Sequence, residues 1–180
     1  MTPARDCGWE VCMRTAQLAP VVVLLATMAC VTQSSVQAER PFVADRHARV
    51  SVEPCRSRMA EPDPGLEASA TKALRDKLAR SEVFELVPAG DVIATCDLEL
   101  FAEGNAFERW LLPGWNPTLA QVAVTLWEQP GDHELVSVRG KAAVRSGGLY
   151  TVGADHYILP TAMDEVVEQL VEWARGVKKP

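Results

Sequence analysis

Cys96-Asp97-Leu98-Glu99-Leu100-Phe101-Ala102-Glu103, Gln121-Val122-Ala123-Val124-Thr125-Leu126-Trp127 and Val136-Ser137-Val138-Arg139-Gly140-Lys141-Ala142-Ala143-Val144-Arg145 decide the fold. Successive strand side chains point to opposite faces, so alternation of apolar and polar residues marks a half-buried strand. The first stretch sets Cys96, Leu98, Leu100 and Ala102 against Asp97, Glu99, Phe101 and Glu103. The second sets Val122, Val124 and Leu126 against Gln121, Thr125 and Trp127. The third sets Val136, Val138, Gly140, Ala142 and Val144 against Ser137, Arg139, Lys141 and Arg145. Gln129-Pro130-Gly131-Asp132 supplies the reversal between the last two, because Pro fixes one dihedral and Gly frees another. The result is an antiparallel meander with one apolar face that needs a cover. Its polar face pairs an acidic first strand with a basic third.

Working outward, Ala48 to Glu53 alternates up to Pro54 and reads as a strand. Asp63-Pro64 opens a helix, with an acceptor at the N-cap and Pro where a missing N–H costs nothing. Leu66, Ala70, Ala73, Leu74 and Leu78 form its stripe. Val83 to Val87 is a short strand. Gly147 to Gly153 reads as a glycine-rich loop, and Pro160-Thr161 as the start of a last helix, with Asp164 near its cap and Met163, Val166, Val167, Leu170, Val171 and Ala174 buried. Gly140 and Ala142 are small where a helix can lie close. The fold expected is α+β: a two-layer sandwich with a mixed sheet of about five strands and two helices on one face. Its domain spans 46–177.

The N-terminal region gives an address. Leu18 to Ala29 is an apolar run too short to span a bilayer and suited to a signal-peptide core, with Arg14 as its positive flank. Asp6 and Glu10 do not suit a basic leader, which makes Met13 a candidate start. The signal peptide is placed at 1–29, and 30–45 is expected to be a tether or disordered arm. Leu25-Ala26-Thr27-Met28-Ala29-Cys30 resembles a lipobox, which nominates Cys30 for lipidation. The competing cleavage follows Val36-Gln37-Ala38 and gives a soluble periplasmic protein. An exported compartment permits a disulfide between Cys55 and Cys96, if their strands are antiparallel neighbours; two free thiols are the alternative.

Among 180 residues, 48% are hydrophobic and 23% charged, which suits a globular domain with a core. The net charge of -6 and the dispersal of Lys and Arg among acids argue against nucleic acid as a partner. His47, His133 and His156 are scattered, so neither a metal nor any other cofactor is expected. The glycine loop lacks the Lys and Ser/Thr of a phosphate-binding loop. No residue is nominated as catalytic.

Phe107-Glu108-Arg109-Trp110-Leu111-Leu112-Pro113-Gly114-Trp115 concentrates large apolar groups where loops are normally polar. Phe107, Arg109, Trp110, Leu111, Leu112 and Trp115 are therefore candidate contacts for an envelope protein or a membrane surface. The alternative folds this loop over the end of the sheet as core. Arg109 is then either a partner anchor or a buried ion-pair partner.

Ala73-Leu74-Arg75-Asp76-Lys77-Leu78, Val83-Phe84-Glu85-Leu86-Val87 and Ala94 to Leu100 resemble the amino-terminal domain of the Tol translocation protein and the curli-secretion lipoprotein. Gly104-Asn105, Arg109, Gly114, Gly147-Gly148 and Gly153-Ala154, spaced around the meander, are more closely similar to a family of bacterial lipoproteins defined only as a domain of unknown function. The resemblance covers 46–176. Pro113-Gly114-Trp115-Asn116-Pro117 departs from it, standing where the family has alternating glycines. An envelope address is implied, and no reaction. The function expected is a non-enzymatic interaction or assembly module. The alternative is a small ligand-binding or hydrolase-like periplasmic enzyme using Asp155, His156 and Arg109, which requires those side chains to share one pocket.

Overall fold

The computed structural model describes residues 31–38, 48–112, 115–130, 133–145 and 153–176. The expected leader at 1–29 with Cys30, the Gly131-Asp132 half of the turn and the glycine stretch 147–152 lie outside the described residues.

The strands are β1 (Val31–Ala38), β2 (Ala48–Val52), β3 (Arg56–Ser57), β4 (Phe84–Leu86), β5 (Val92–Ala102), β6 (Thr118–Glu128) and β7 (His133–Val144). The helices are α1 (Pro64–Arg80), α2 (Ala106–Leu111) and α3 (Ala154–Ala174). They form one mixed sheet in the order β1-β7-β6-β5-β2-β4, with β3 also on β5. The meander β5-β6-β7 is antiparallel, whereas β2 runs parallel to both β4 and β5. Pro54 has no N–H to give the ladder, which separates β2 from β3 along the same edge of β5. Helices α1 and α3 lie on the apolar face and share one core, in which Leu74, Leu78, Leu98, Val122, Val138, Met163 and Leu170 are fully buried.

Four expectations change. Residues 31–38 are not a tether but β1, paired antiparallel along all eight residues with β7. Ser34 Oγ donates to Glu165 of α3 at 2.6 Å and ties the strand to the helical layer. The signal was weak because Gln33, Ser34, Ser35 and Gln37 leave no apolar alternation to read. In β5 the ladder to β6 shifts between Leu98 and Leu100. That bulge reverses the faces beyond it, so Phe101, opposite buried Ala120, packs on the core in the role expected of Leu100 and Ala102. Helix α3 starts at Ala154 rather than Pro160, and Pro160 is internal. Cys55 and Cys96 are joined by a disulfide with Cα atoms 4.5 Å apart, but Cys55 leads into the parallel strand β3 rather than an antiparallel neighbour.

Helix α1 begins as the sequence dictates: Asp63 accepts from the N–H groups of Gly65 and Leu66, with Pro64 in the first turn. Gly140 explains the closeness of α3. A Cβ there would stand 2.8 Å from the carbonyl oxygen of Ala162 and 2.5 Å from Val166 Cγ2. On the opposite face, Arg139 reaches across β6 to Glu99 with Nε and Nη2 each 2.7 Å from a carboxylate oxygen. Ala123, between Asp97 and Arg139 in the register, is small enough to let it pass.

Candidate functional site

The connection between β5 and β6 is organised from within. Asn105 caps α2 by accepting from the N–H groups of Phe107 and Glu108. Glu108 in turn accepts from Asn105 Nδ2 at 3.4 Å and from Asn116 Nδ2 at 2.7 Å, closing the loop on itself. Arg109 is 1% exposed and donates from Nη1 to Thr118 Oγ1 at 2.8 Å and to the Asn116 carbonyl at 3.4 Å. The Gly104 N–H also donates to Thr118 Oγ1, at 3.2 Å. A Cβ on Gly104 would lie 2.4 Å from both Arg109 Nη1 and the Asn116 oxygen, so only glycine admits this guanidinium.

The helix is therefore inside out. Its charged Arg109 is buried, while Phe107, Trp110, Leu111, Leu112 and Trp115 are each between 48% and 65% exposed. Phe107, Trp110 and Leu111 recur at helical spacing and share one face. The rings of Phe107 and Trp110 lie 5.9 Å apart, tilted by 36°. Arg109, expected among the contact residues, is instead the internal strut that holds the other five outward. Thr118, the buried hydroxyl on which that strut rests, was not singled out from the sequence. A lone Thr at the start of a strand gives no signal of burial.

A hollow of about 370 Å³ opens beside α2 and the start of α3. Arg109 and Asp155 both line it, with Glu103, Asn105 and Asn116. His156 does not; its ring is exposed, and Nε2 stands 3.6 Å from Asp155 Oδ2, beyond hydrogen-bond reach. Asp155, His156 and Arg109 thus do not converge, and no Ser, Thr or Cys is among the described residues that line the hollow. Asp155 and His156 belong to the first turn of α3 rather than to a loop. Among the described residues no three His, Cys, Asp or Glu side chains gather to hold a metal ion, and no helix is long and apolar enough to cross a membrane.

The Arg139 guanidinium holds the Glu99 carboxyl below its ordinary range; partial burial opposes this, and Gln121, whose Nε2 donates at 2.5 Å, reinforces it. Arg58 and Asp97 make a second pair, 2.6 Å apart. These groups belong to a solvated sheet face.

No family model and no curated protein sequence matches the chain. Among solved structures it is similar to a PelC dodecamer subunit from Paraburkholderia phytofirmans, with a TM-score of 0.54, 10% identity, and coverage of 83% of this chain and 100% of that one. At 10% identity this likeness is one of fold. A Xanthomonas campestris protein of family DUF330 aligns with a TM-score of 0.47 and 13% identity, covering 78% of this chain and 92% of that one. A lipoprotein from Neisseria meningitidis aligns at 0.41 and 11%, covering 69% and 99%. The neighbours thus include a bacterial lipoprotein and a domain of unknown function. The finer resemblance to the Tol and curli proteins is not shown by these likenesses.

Proposed function

We propose that this is an exported envelope protein, lipid-anchored at Cys30, whose domain works as a non-enzymatic interaction or assembly module. The observation that carries the reading is β1. Cleavage after Ala38 would remove all eight residues of a strand that pairs along its length with β7. Cleavage before Cys30 leaves that strand whole and starts the mature chain one residue ahead of it. Export follows from the leader, with Arg14 before an apolar core that ends in Ala29-Cys30. The interaction role is supported by the outward apolar face of α2 and by the position of His156 outside the hollow that Arg109 and Asp155 line. A fold of this kind serves an oligomer in the PelC dodecamer, which fits an assembly part.

Intact mass of the native protein tests the anchor. The expected result is an N-terminus at Cys30 with added acyl mass, and release from membranes of the Cys30→Ser variant. An N-terminus at Glu39 without acyl mass would overturn the reading.

A further inference from the structure

The sheet register brings two separate features to one end of the molecule. Val31, Ala143, Leu119 and Ala102 stand in one row across β1, β7, β6 and β5. Val31 follows Cys30 in the sequence, so the start of β1 marks the end of the sheet to which a chain acylated at Cys30 would be attached. The connection that carries α2 leaves from Ala102 and returns at Thr118, in the same row or one residue from it. Three strand spacings separate β1 from β5, a distance of about 14 Å. The start of β1 and the outward aromatic face therefore lie at the same end of the sheet.

We propose that this end lies against the bilayer, with Phe107, Trp110, Leu111, Leu112 and Trp115 seated in the lipid interface as a second, non-covalent anchor. The proposal rests on acylation at Cys30, and it names the partner of the α2 face as lipid. With β1 starting one residue after the anchor, no tether is left to hold the domain away from the membrane, so the bilayer is brought to the apolar face. The face suits that occupant. Trp combines an apolar body with a polar N–H and collects at membrane interfaces, while Phe and Leu suit the apolar face of an interfacial helix. Its area, roughly 600 Å² from the usual size of such side chains, falls short of the about 800 Å² per partner of a standard protein interface. Charge does not draw it there: Glu103 and Asp155 line the hollow beside α2 and Glu108 lies in that helix, against Arg145, one residue past the Val144 paired with Thr118. Binding is therefore expected to need no anionic lipid.

The test uses the lipidated protein reconstituted into uncharged phosphatidylcholine vesicles with brominated acyl chains, which quench tryptophan on contact. Trp127 lies far along β6, about 27 Å from Leu119, and Trp173 about 28 Å along α3 from its start. They serve as internal controls. The expected result is partial quenching that disappears in the Trp110→Phe/Trp115→Phe variant and is unchanged by salt. Quenching that is absent, or indifferent to that substitution, would overturn the proposal. Should intact mass show no acyl group, the unacylated chain is mixed with the same vesicles. It is still expected to partition, and Trp110→Ser/Trp115→Ser to weaken partition at least about tenfold with thermal unfolding unchanged. No partition would then defeat the lipid contact independently of the anchor. An oligomer that dissociates on the same substitutions, with no quenching by lipid, would make a second copy the occupant and overturn the proposal.

Discussion

Arg109 and Trp110 are chain neighbours with opposite fates, and the difference can be measured. Arg109 is buried on Thr118 and the Asn116 carbonyl. Its removal strands buried acceptors, and hydrogen bonds to a charged donor contribute about 1.5–3 kcal/mol each. Arg109→Met is expected to cost about 2–3 kcal/mol in denaturant melts, whereas Trp110→Ala should stay within about 1 kcal/mol because the ring has little packing to lose. Equal losses would mean that Trp110 is core. Glu99 gives a pH prediction. Its carboxyl is held low by Arg139, so the unfolded chain binds the proton more readily than the folded one. The contribution is present above the ordinary carboxylate value of about 4.3 and lost as pH falls through the lower folded value. Glu99→Gln should flatten the acid-side fall of Tm in that window, by a small amount because Arg139 is half exposed. An unchanged acid limb would remove the pair from the account. The alternating charges of the first and third strands made this pairing legible. The bulge beside Glu99 was not, since a register shift depends on the partner strand and leaves no mark on the pattern of its own.

Helix α3 shows what an element's sequence reveals and hides. Its buried stripe from Met163 to Ala174 was readable at helical spacing, and so were Gly140 and Ala142 as the small residues beneath it. Gly140→Ala drives a methyl against the Ala162 carbonyl, a backbone atom that cannot swing aside as a side chain would. A cost of about 1–3 kcal/mol is expected from urea melts, the usual range for forcing a methyl into a packed contact. A neutral result would show that α3 can lift off the sheet. The first turns of the helix were misread because Pro160 has the look of a first-turn proline, while the actual cap, Gly153, offers no side chain to accept. Inside the helix, Pro160 leaves the His156 carbonyl without its usual donor. That costs least at an exposed turn, and His156 is exposed. Ala154, Ile158, Leu159 and Ala162 continue the buried stripe ahead of and beyond this proline, so the periodicity was there but was cut at the wrong residue.

At the scale of the whole molecule, the long antiparallel edge of the sheet and its parallel side are protected differently. β4 is three residues long and ends the parallel side; β1 covers β7, which is long, β-rich and apolar on its inner face. Without β1, the N–H and C=O groups of β7 would form an open template of the kind that pairs with other chains. The core beneath would also lose the Ser34 to Glu165 tie between sheet and helix. A chain beginning at Glu39 should therefore be less stable than one beginning at Cys30→Ser by at least about 2 kcal/mol, the loss of several ladder hydrogen bonds net of chain entropy. It should also associate as concentration rises, through the uncovered β7. Urea melts and sedimentation of the two chains measure both effects. Equal stability and equal dispersity would mean that β1 is dispensable, and processing after Ala38 would then be compatible with the fold. The expected inequality ties the strand to the proposed lipid anchor: of the two candidate cleavages, only the one before Cys30 keeps β1 on the long edge of the sheet.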